Sequence, residues 1–145
     1  MVILFMGYPS HEAAVQILKG QEFVPMDSVE RIVTRDELIG LQDKARTLSV
    51  HDSIFDYIVT LVEATRESEL FSMGASPRGA NALLRMSRAM AVLYGREYVV
   101  PGDIAEVFND VLGHRVKLAA RARANGMTVA EALDEVRSQV KVPRT

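Results

Sequence analysis

Residues 74–96, with the sequence GASPRGANALLRMSRAMAVLYGR, carry the boundary signals of an α-helix at both ends and constrain the fold more than any other stretch. Ser76 is a suitable N-cap, and Pro77 suits the first helical position because the N–H that proline lacks has no partner there. Gly95 is a typical residue to end a helix. Apolar residues spread around much of this helix, which predicts that it is the central and most buried helix: Leu83, Leu84, Met86, Met90, Leu93 and Tyr94.

Capping boxes predict the start of two more helices. In this motif a threonine and a glutamate three residues later each bond the other's backbone amide, as in Thr34-x-x-Glu37 and Thr128-x-x-Glu131. Ser49 is predicted to cap a further helix. Its apolar residues repeat at i, i+3, i+4, i+7 and i+8, which is one face of an amphipathic helix: Ile54, Tyr57, Ile58, Leu61 and Val62.

The remaining segments are predicted from proline, glycine and polar residues at their ends. Residues 10–20 form a short helix that Ser10 caps, and residues 21–33 are irregular. Another helix begins near Pro101, reaches a break or kink at Gly113 and ends at the Asn-Gly pair 125–126. The chain therefore holds five to seven helices and little or no sheet.

The first nine residues differ from the rest. Residues 2–6 are apolar and are followed by Gly7 and Pro9, which is typical of a buried strand, but no partner strand is evident. We therefore predict an all-α fold, a small helical bundle with a short N-terminal strand remnant. Residues 1–9 would be the last strand of a larger core or an artificial start, and residues 10–145 the helical domain with a C-terminal extension.

Composition and charge exclude several classes of protein. The chain has no cysteine, which excludes disulfides and thiolate metal sites, and no apolar run approaches the ~20 residues that span a bilayer. We therefore expect a soluble cytoplasmic protein with no membrane partner. The net charge of −2 argues against a general nucleic-acid binder, although residues 1–70 carry −6 and residues 71–145 carry +4.

Familiar catalytic motifs are absent from the sequence. There is no G-x-x-x-x-G-K-[ST] loop, no H-E-x-x-H and no G-x-S-x-G, and the three histidines show no metal-ligand spacing. No metal site is predicted. The adjacent His51 and Asp52 leave open a small hydrolase that uses acid–base chemistry, against a surface pair at the start of a helix.

Arg78 stands in the first turn of the helix that Ser76 caps. The first amides of a helix and the helix dipole attract anions, and an arginine in the same turn can add two charge-assisted hydrogen bonds to a phosphate. Gly74 and Gly79 leave room for close approach of a ligand. The alternative is a solvated surface arginine with no ligand.

A second group of basic residues lies at 115–123 and contains Arg115, Lys117, Arg121 and Arg123. Cations near a helix C-terminus are stabilising, so a solvated helix end explains this stretch. The alternative is a basic stripe that binds an acidic protein or nucleic acid.

Several segments in a fixed order resemble the C-terminal part of the MoxR-family AAA+ ATPases. They are GYPS, TRDELIGLQ, VHDSIFDYIVTLVEATR, GASPRGANALLRMSRAMAVLYGREYVVPGDI and VLGHR, and the resemblance covers residues 7–143. In that family this part is the helical lid that follows the nucleotide-binding core. The resemblance implies that residues 2–6 match the end of the core's last strand.

The resemblance also implies roles for particular residues. The arginine of the S-P-R segment, Arg78, resembles the sensor-2 arginine that reaches the γ-phosphate of ATP, with Ser76 and Gly74 beside the nucleotide. ATP and Mg²⁺ are the implied cofactors of the complete ATPase. Because the phosphate-binding loop is absent from these 145 residues, we expect no cofactor binding and no catalysis by this chain alone.

The implied partners are the ATPase core, neighbouring subunits of a hexamer and proteins with von Willebrand A domains, with the complete protein acting as a chaperone. The leading interpretation is thus an AAA+ lid that contributes to ATP hydrolysis. The alternative is a stand-alone helical module that binds an acidic partner or nucleic acid through residues 115–123. The hydrolase based on His51 and Asp52 has the least support.

Overall fold

The computed structural model describes residues 2–4, 6–20 and 28–143. In these residues it has seven helices and one two-stranded antiparallel sheet, which confirms the predicted helical bundle. The elements in chain order are α1 (His11–Leu18), α2 (Arg35–Thr47), α3 (Asp52–Glu67), β1 (Phe71–Met73), α4 (Pro77–Leu93), α5 (Pro101–Leu112), β2 (Lys117–Leu118), α6 (Ala120–Ala124) and α7 (Val129–Gln139).

Both predicted capping boxes are present. The Thr34 hydroxyl accepts a hydrogen bond from the Glu37 amide at 3.2 Å, and the Glu37 carboxylate accepts one from the Thr34 amide at 2.8 Å. Thr128 and Glu131 repeat this arrangement at the start of α7, with distances of 3.2 and 2.7 Å. These bonds satisfy backbone amides that have no partner inside the helix.

The core lies between α3, α4, α5 and α7. The predicted apolar face of α3 is confirmed, because all five of its residues are buried. Large apolar side chains of α5 and α7 meet it in one cluster: Ile104, Val107, Phe108, Val111, Leu112, Leu133 and Val136.

Helix α4 is central, but it is not the most buried helix. It packs against α2, α3 and α5, yet it buries only Gly79, Leu83, Ser87 and Ala91. The predicted core residues Leu93 and Tyr94 are 75% and 56% exposed. Small residues on the buried face let neighbouring helices approach closely, so the larger apolar side chains of α4 lie along its flanks.

The helix predicted from residue 101 to 125 is interrupted. Helix α5 ends at Leu112, Gly113 is its C-cap, and α6 begins only at Ala120. Between them β2 pairs with β1, with Phe71 opposite Leu118 and Met73 opposite Lys117. Strands of two and three residues are too short to show the alternation by which strands are predicted.

The cap of α3 is His51, and the prediction of Ser49 as its cap is wrong. The His51 imidazole accepts a hydrogen bond from the Ser53 amide at 3.2 Å. Ser49 instead pairs with Tyr98 in an isolated parallel bridge, and its carbonyl accepts a hydrogen bond from Val99.

The N-terminal part of the chain lies against the bundle. Residues 2–4 and 6–9 form no strand, and the Ile3 amide donates to the Asp110 carbonyl at 3.1 Å. Most of the segment predicted to be irregular, residues 21–27 with Pro25, lies outside the described residues, as do residues 1, 5 and 144–145. The division of the chain after residue 9 stays a prediction.

Helices α1 and α2 bury no residue within the described part of the chain. They carry exposed apolar side chains, including Ile17, Leu18, Leu38 and Leu41. Among the helices that the structure describes, none has the length and apolar character needed to cross a membrane.

Candidate anion-binding site

A groove of about 550 Å³ runs along the start of α4. Its lining residues are Arg78, Asn81, Ala82, Arg85, Met86 and Arg115. The first five share one face of α4, because they are spaced at i, i+3, i+4, i+7 and i+8. The sixth comes from the turn between α5 and β2. Among the residues that the structure describes, three arginines and no carboxylate line this groove, and these arginines stay positively charged at every physiological pH.

The N-terminus of α4 adds to this positive potential. Ser76 occupies the N-cap position as predicted, but its side chain makes no capping hydrogen bond. Its carbonyl accepts a hydrogen bond from the Gly79 amide at 2.7 Å. No acidic residue lies in the first turn, so no cap carboxylate offsets the positive end of the helix dipole.

The loop that leads into α4 is tied to the end of α3. The Ala75 amide donates to the Thr65 hydroxyl at 2.9 Å, and the Thr65 hydroxyl donates to the Val62 carbonyl at 2.7 Å. The Arg66 Nε donates to the Ala75 carbonyl at 2.7 Å. Because the amide and the carbonyl of Ala75 are both hydrogen-bonded to α3, the start of α4, which carries Arg78, is held in place relative to α3.

Gly74 has a packing role in this loop. A Cβ at this position would lie 2.6 Å from the Arg66 Cα and 2.6 Å from the Thr65 carbonyl oxygen, which no side chain tolerates. The missing side chain thus lets the loop lie against the backbone of α3. The predicted contacts of Gly74 and Ser76 with a nucleotide stay predictions.

Gly79 brings the start of α4 close to the end of α5. A Cβ at Gly79 would lie 3.2 Å from Leu112 Cδ2 and 3.7 Å from Arg115 Cδ. The half-buried Arg115 is held at the same place, since its Nε donates to the Val111 carbonyl at 3.0 Å. Desolvation, assisted by the Arg115 cation, lowers the pKa of the neighbouring His114.

The structure places Arg78 on the exposed surface of α4, within this groove. Sequence reasoning did not identify Arg85, although its position seven residues after Arg78 on a helix was a usable signal. It also assigned Arg115 to a different surface. The convergence of Arg115 on Arg78 depends on tertiary packing and has no local signal in the sequence.

The basic stretch 115–123 is not a continuous stripe. Arg115 lies in the groove, Lys117 belongs to β2, and Arg121 and Arg123 belong to α6. The last two are two positions apart and do not share a helix face. The predicted helix end is present for Arg121 and Arg123, which lie in the last turn of α6 before its C-cap at Asn125. It does not apply to Arg115 and Lys117, because α5 ends at Leu112.

The GREYVVPGDI segment has a structural role. Arg96 forms a two-pronged ion pair with Asp103, which is 1% exposed, and hydrogen bonding to that carboxylate raises the pKa of Arg96. The Asp103 carboxylate also accepts from the Val100 amide at 2.9 Å, which caps α5. The Arg96 guanidinium lies over the Tyr94 ring at 5.5 Å. Together these contacts fix the α4–α5 connection beside Gly95.

Other candidate chemical groups are accounted for by the fold. His51 caps α3, and its Nδ1 lies 2.8 Å from the Ser53 hydroxyl. Within residues 2–4, 6–20 and 28–143, no group of three or more histidine, aspartate or glutamate side chains could hold a metal ion.

A separate apolar groove on α2 is lined by Ile32, Val33, Glu37, Gly40, Leu41 and Lys44.

Comparison with known proteins agrees with this architecture. The AAA lid domain family matches residues 63–136, which include α4, the groove and the Arg96–Asp103 pair. The chain belongs to this family. Its relatives assign this lid to the MoxR-type AAA+ proteins, as the order of its sequence segments predicted.

Three relatives show how far the similarity extends. Uncharacterized protein YeaC of Bacillus subtilis is 36% identical over 141 residues, 97% of the lid chain and 44% of YeaC. Chaperone MoxR1 of Mycobacterium tuberculosis is 33% identical over 147 residues, 95% of the lid chain and 39% of MoxR1. Protein MoxR of Methylorubrum extorquens is 36% identical over 107 residues, 63% of the lid chain and 31% of that protein.

The fold is also found in a solved structure. The crystal structure of a candidate ATPase from Cytophaga hutchinsonii matches with a TM-score of 0.82 and 27% identity, covering 99% of the lid chain and 47% of that protein. The lid chain therefore spans less than half the length of the relatives that it matches.

Proposed function

We propose that this lid acts in a MoxR-like AAA+ ATPase by placing Arg78 against the phosphates of ATP bound to a nucleotide-binding core. The observation that carries the proposal is the groove at the start of α4, whose described lining holds three arginines and no carboxylate beside a helix N-terminus. We place that core outside these 145 residues, because they contain no phosphate-binding loop.

The residues of the groove fit a polyphosphate and do not fit Mg²⁺. Guanidinium groups match the geometry of phosphate oxygens and bind them through paired hydrogen bonds. A divalent cation prefers carboxylate and carbonyl oxygens, which the described side chains of the groove lack apart from the Asn81 amide. We therefore propose that Mg²⁺ is bound outside this lid.

Bound ATP would supply the phosphoryl group that is transferred to water. Arg78 would stabilise the negative charge that grows on the phosphate oxygens in the transition state. The Thr65 and Arg66 bonds to Ala75 would keep Arg78 in place, so little reorganisation is needed when the nucleotide binds. A contact made by the lid to a nucleotide in the core would also couple nucleotide state to the position of the lid.

We further propose that this lid packs against its core and against a neighbouring subunit of a hexamer. Support comes from α1 and α2, which bury no described residue and expose apolar side chains such as Leu18 and Leu41. Exposed apolar surface of this kind marks sites of protein contact. The name of chaperone MoxR1 supports a chaperone role. We propose that the complete protein acts in the cytoplasm on other protein complexes, with von Willebrand A domain proteins as partners.

The experiment that tests the proposal measures ATP turnover of the ATPase in which this lid is joined to its core. Arg78→Ala is expected to lower kcat by roughly a hundredfold, because it removes a charge that acts on the transition state. Arg121→Ala, which removes an exposed arginine outside the groove, is the matched control and should leave kcat unchanged. Equal turnover of wild type and Arg78→Ala, both folded by circular dichroism, would show that the proposal is wrong.

A further inference from the structure

We propose that Arg115 is a second phosphate-binding residue that contacts the same anion as Arg78 at the start of α4. The inference rests on the proposed function only in taking the anion to be the phosphates of a nucleotide. It assigns a binding role to a residue on a different element, the turn between α5 and β2.

The first step of the argument is the proximity of Arg115 to the first turn of α4. Both Arg78 and Arg115 line the same groove. Gly79 marks how close the two are, since a Cβ at that position would be in van der Waals contact with Arg115 Cδ, at 3.7 Å. The side chain of Arg115 therefore passes beside the backbone of the turn that carries Arg78. An anion at the helix N-terminus would lie between guanidinium groups from two elements.

The second step concerns the way in which Arg115 is held. Its Nε donates to the Val111 carbonyl at 3.0 Å, and the side chain is half-buried. A restrained arginine loses less conformational entropy on binding than a freely moving one. Because a guanidinium carries five N–H donors, a bond to a backbone carbonyl is compatible with a further bond to a phosphate.

The third step distinguishes the role of Arg115 from that of Arg85, the other arginine of the groove. Arg85 lies two turns after Arg78, roughly 10 Å along the axis at 1.5 Å per residue, and thus farther from the amides of the first turn. Arg85 adds positive potential to the groove. Arg115, beside Gly79, is placed to share one phosphate with Arg78.

The test uses the 145-residue chain with inorganic tripolyphosphate as the probe. Side-chain Nε–Hε signals of the arginines are followed by NMR during a titration, with sodium sulfate at matched ionic strength as the reference for screening. We expect the Arg78 and Arg115 signals to shift with one common dissociation constant. A titration in which the Arg115 signal does not respond overturns the inference.

Variants of the same chain test the contact independently. Arg115→Lys keeps the charge and removes the planar fork, so it should raise the dissociation constant for tripolyphosphate about tenfold, as expected for one lost charge-assisted contact. Arg78→Ala should cause a similar rise. Arg121→Ala is the control, and its dissociation constant should stay within about twofold of wild type, since it removes the same charge outside the groove.

The outcomes distinguish this inference from the proposed function. If Arg78→Ala weakens binding and lowers turnover while Arg115→Lys behaves like Arg121→Ala, the inference is wrong and the role of Arg78 stands. If Arg121→Ala weakens binding as much as Arg115→Lys, the groove attracts anions only through net charge, which also overturns it. Backbone NMR spectra of each variant show whether it remains folded. The wild-type titration requires no substitution, so its result does not depend on the folding of any variant.

Discussion

Thr65 and Ala75 are joined by a buried hydrogen bond of 2.9 Å that connects the end of α3 to the loop before α4. Both residues are fully buried. The Thr65 hydroxyl donates to one backbone group and accepts from another, so the loop has a single backbone position relative to α3. The candidate site depends on this bond because Arg78 follows three residues later.

Replacing Thr65 by valine keeps the side-chain shape and removes the hydroxyl. The Ala75 amide would then be buried without this acceptor, which costs about 1–3 kcal/mol. We expect Thr65→Val to lower the free energy of unfolding by that amount in urea denaturation. Thr60→Val is the control, because Thr60 lies on the exposed face of the same helix and its hydroxyl donates only to the Asp56 carbonyl. Equal effects of the two substitutions would contradict the role assigned to Thr65.

The Arg96–Asp103 pair gives a second prediction. Arg96→Met keeps most of the apolar stem and leaves the Asp103 carboxylate, which is 1% exposed, without its ionic partner. Removing one member of a buried pair is strongly destabilising, but Arg96 is 26% exposed and the Val100 amide still donates to Asp103. We therefore expect a loss of about 2 kcal/mol in the free energy of unfolding.

The control for this prediction is another arginine in an ion pair. Arg46 pairs with Asp43 at 3.1 Å, and the two side chains are 75% and 62% exposed. Arg46→Met should change the free energy of unfolding by less than about 1 kcal/mol, because exposed pairs contribute little. A loss for Arg96→Met no larger than that for Arg46→Met would mean that the α4–α5 connection does not depend on this pair.

The capping box of α7 predicts a dependence on pH. Hydrogen bonds from the Thr128 amide and hydroxyl lower the pKa of Glu131. A lowered pKa in the folded state means that the ionised carboxylate stabilises the protein above the unfolded pKa, roughly 4.3. This stabilisation is lost as the pH falls through the folded pKa. The difference in free energy of unfolding between wild type and Glu131→Gln should thus be constant from about pH 6 to about pH 8. It should become smaller as the pH falls below about 4.

Glu135→Gln is the matched control for the pH measurement. Glu135 is exposed on the same helix and is not part of the capping box. Urea denaturation of wild type and both variants across this range gives the comparison. A difference between wild type and Glu131→Gln that persists unchanged at low pH would show that the carboxylate charge is not what stabilises the cap.

The parts of this fold that sequence predicts are those determined by residues close together in the chain. The bond between Thr34 and Glu37 and the buried face of α3 each depend on a spacing of a few residues. The cap of α3 is not the predicted residue because serine is a commoner N-cap than histidine, whereas the structure uses the His51 imidazole and holds Ser49 in a bridge with Tyr98.

The candidate site was predictable only in part. Arg78 could be identified because its unusual position at a helix start is a local property. Arg115 could not, since its approach to Arg78 depends on how closely α4 and α5 pack at Gly79. Gly74 was interpreted as space for a ligand, whereas the missing Cβ faces the backbone of α3. Glycine in a sequence indicates close approach without indicating what approaches.

Two helical glycines provide the last prediction. In an exposed helix interior, glycine to alanine stabilises by about 0.5–1 kcal/mol because alanine restricts the unfolded chain. Gly40 in α2 has open space where a Cβ would lie, so Gly40→Ala should gain that amount. At Gly79 a Cβ would lie 3.2 Å from Leu112 Cδ2 and 3.4 Å from Ala75 Cβ, so the Leu112 side chain must shift slightly to make room for it. We expect Gly79→Ala to gain nothing or to lose about 1 kcal/mol through overpacking, as measured by urea denaturation. An equal gain from both substitutions would mean that α4 and α5 are not held at the separation that brings Arg115 beside Arg78.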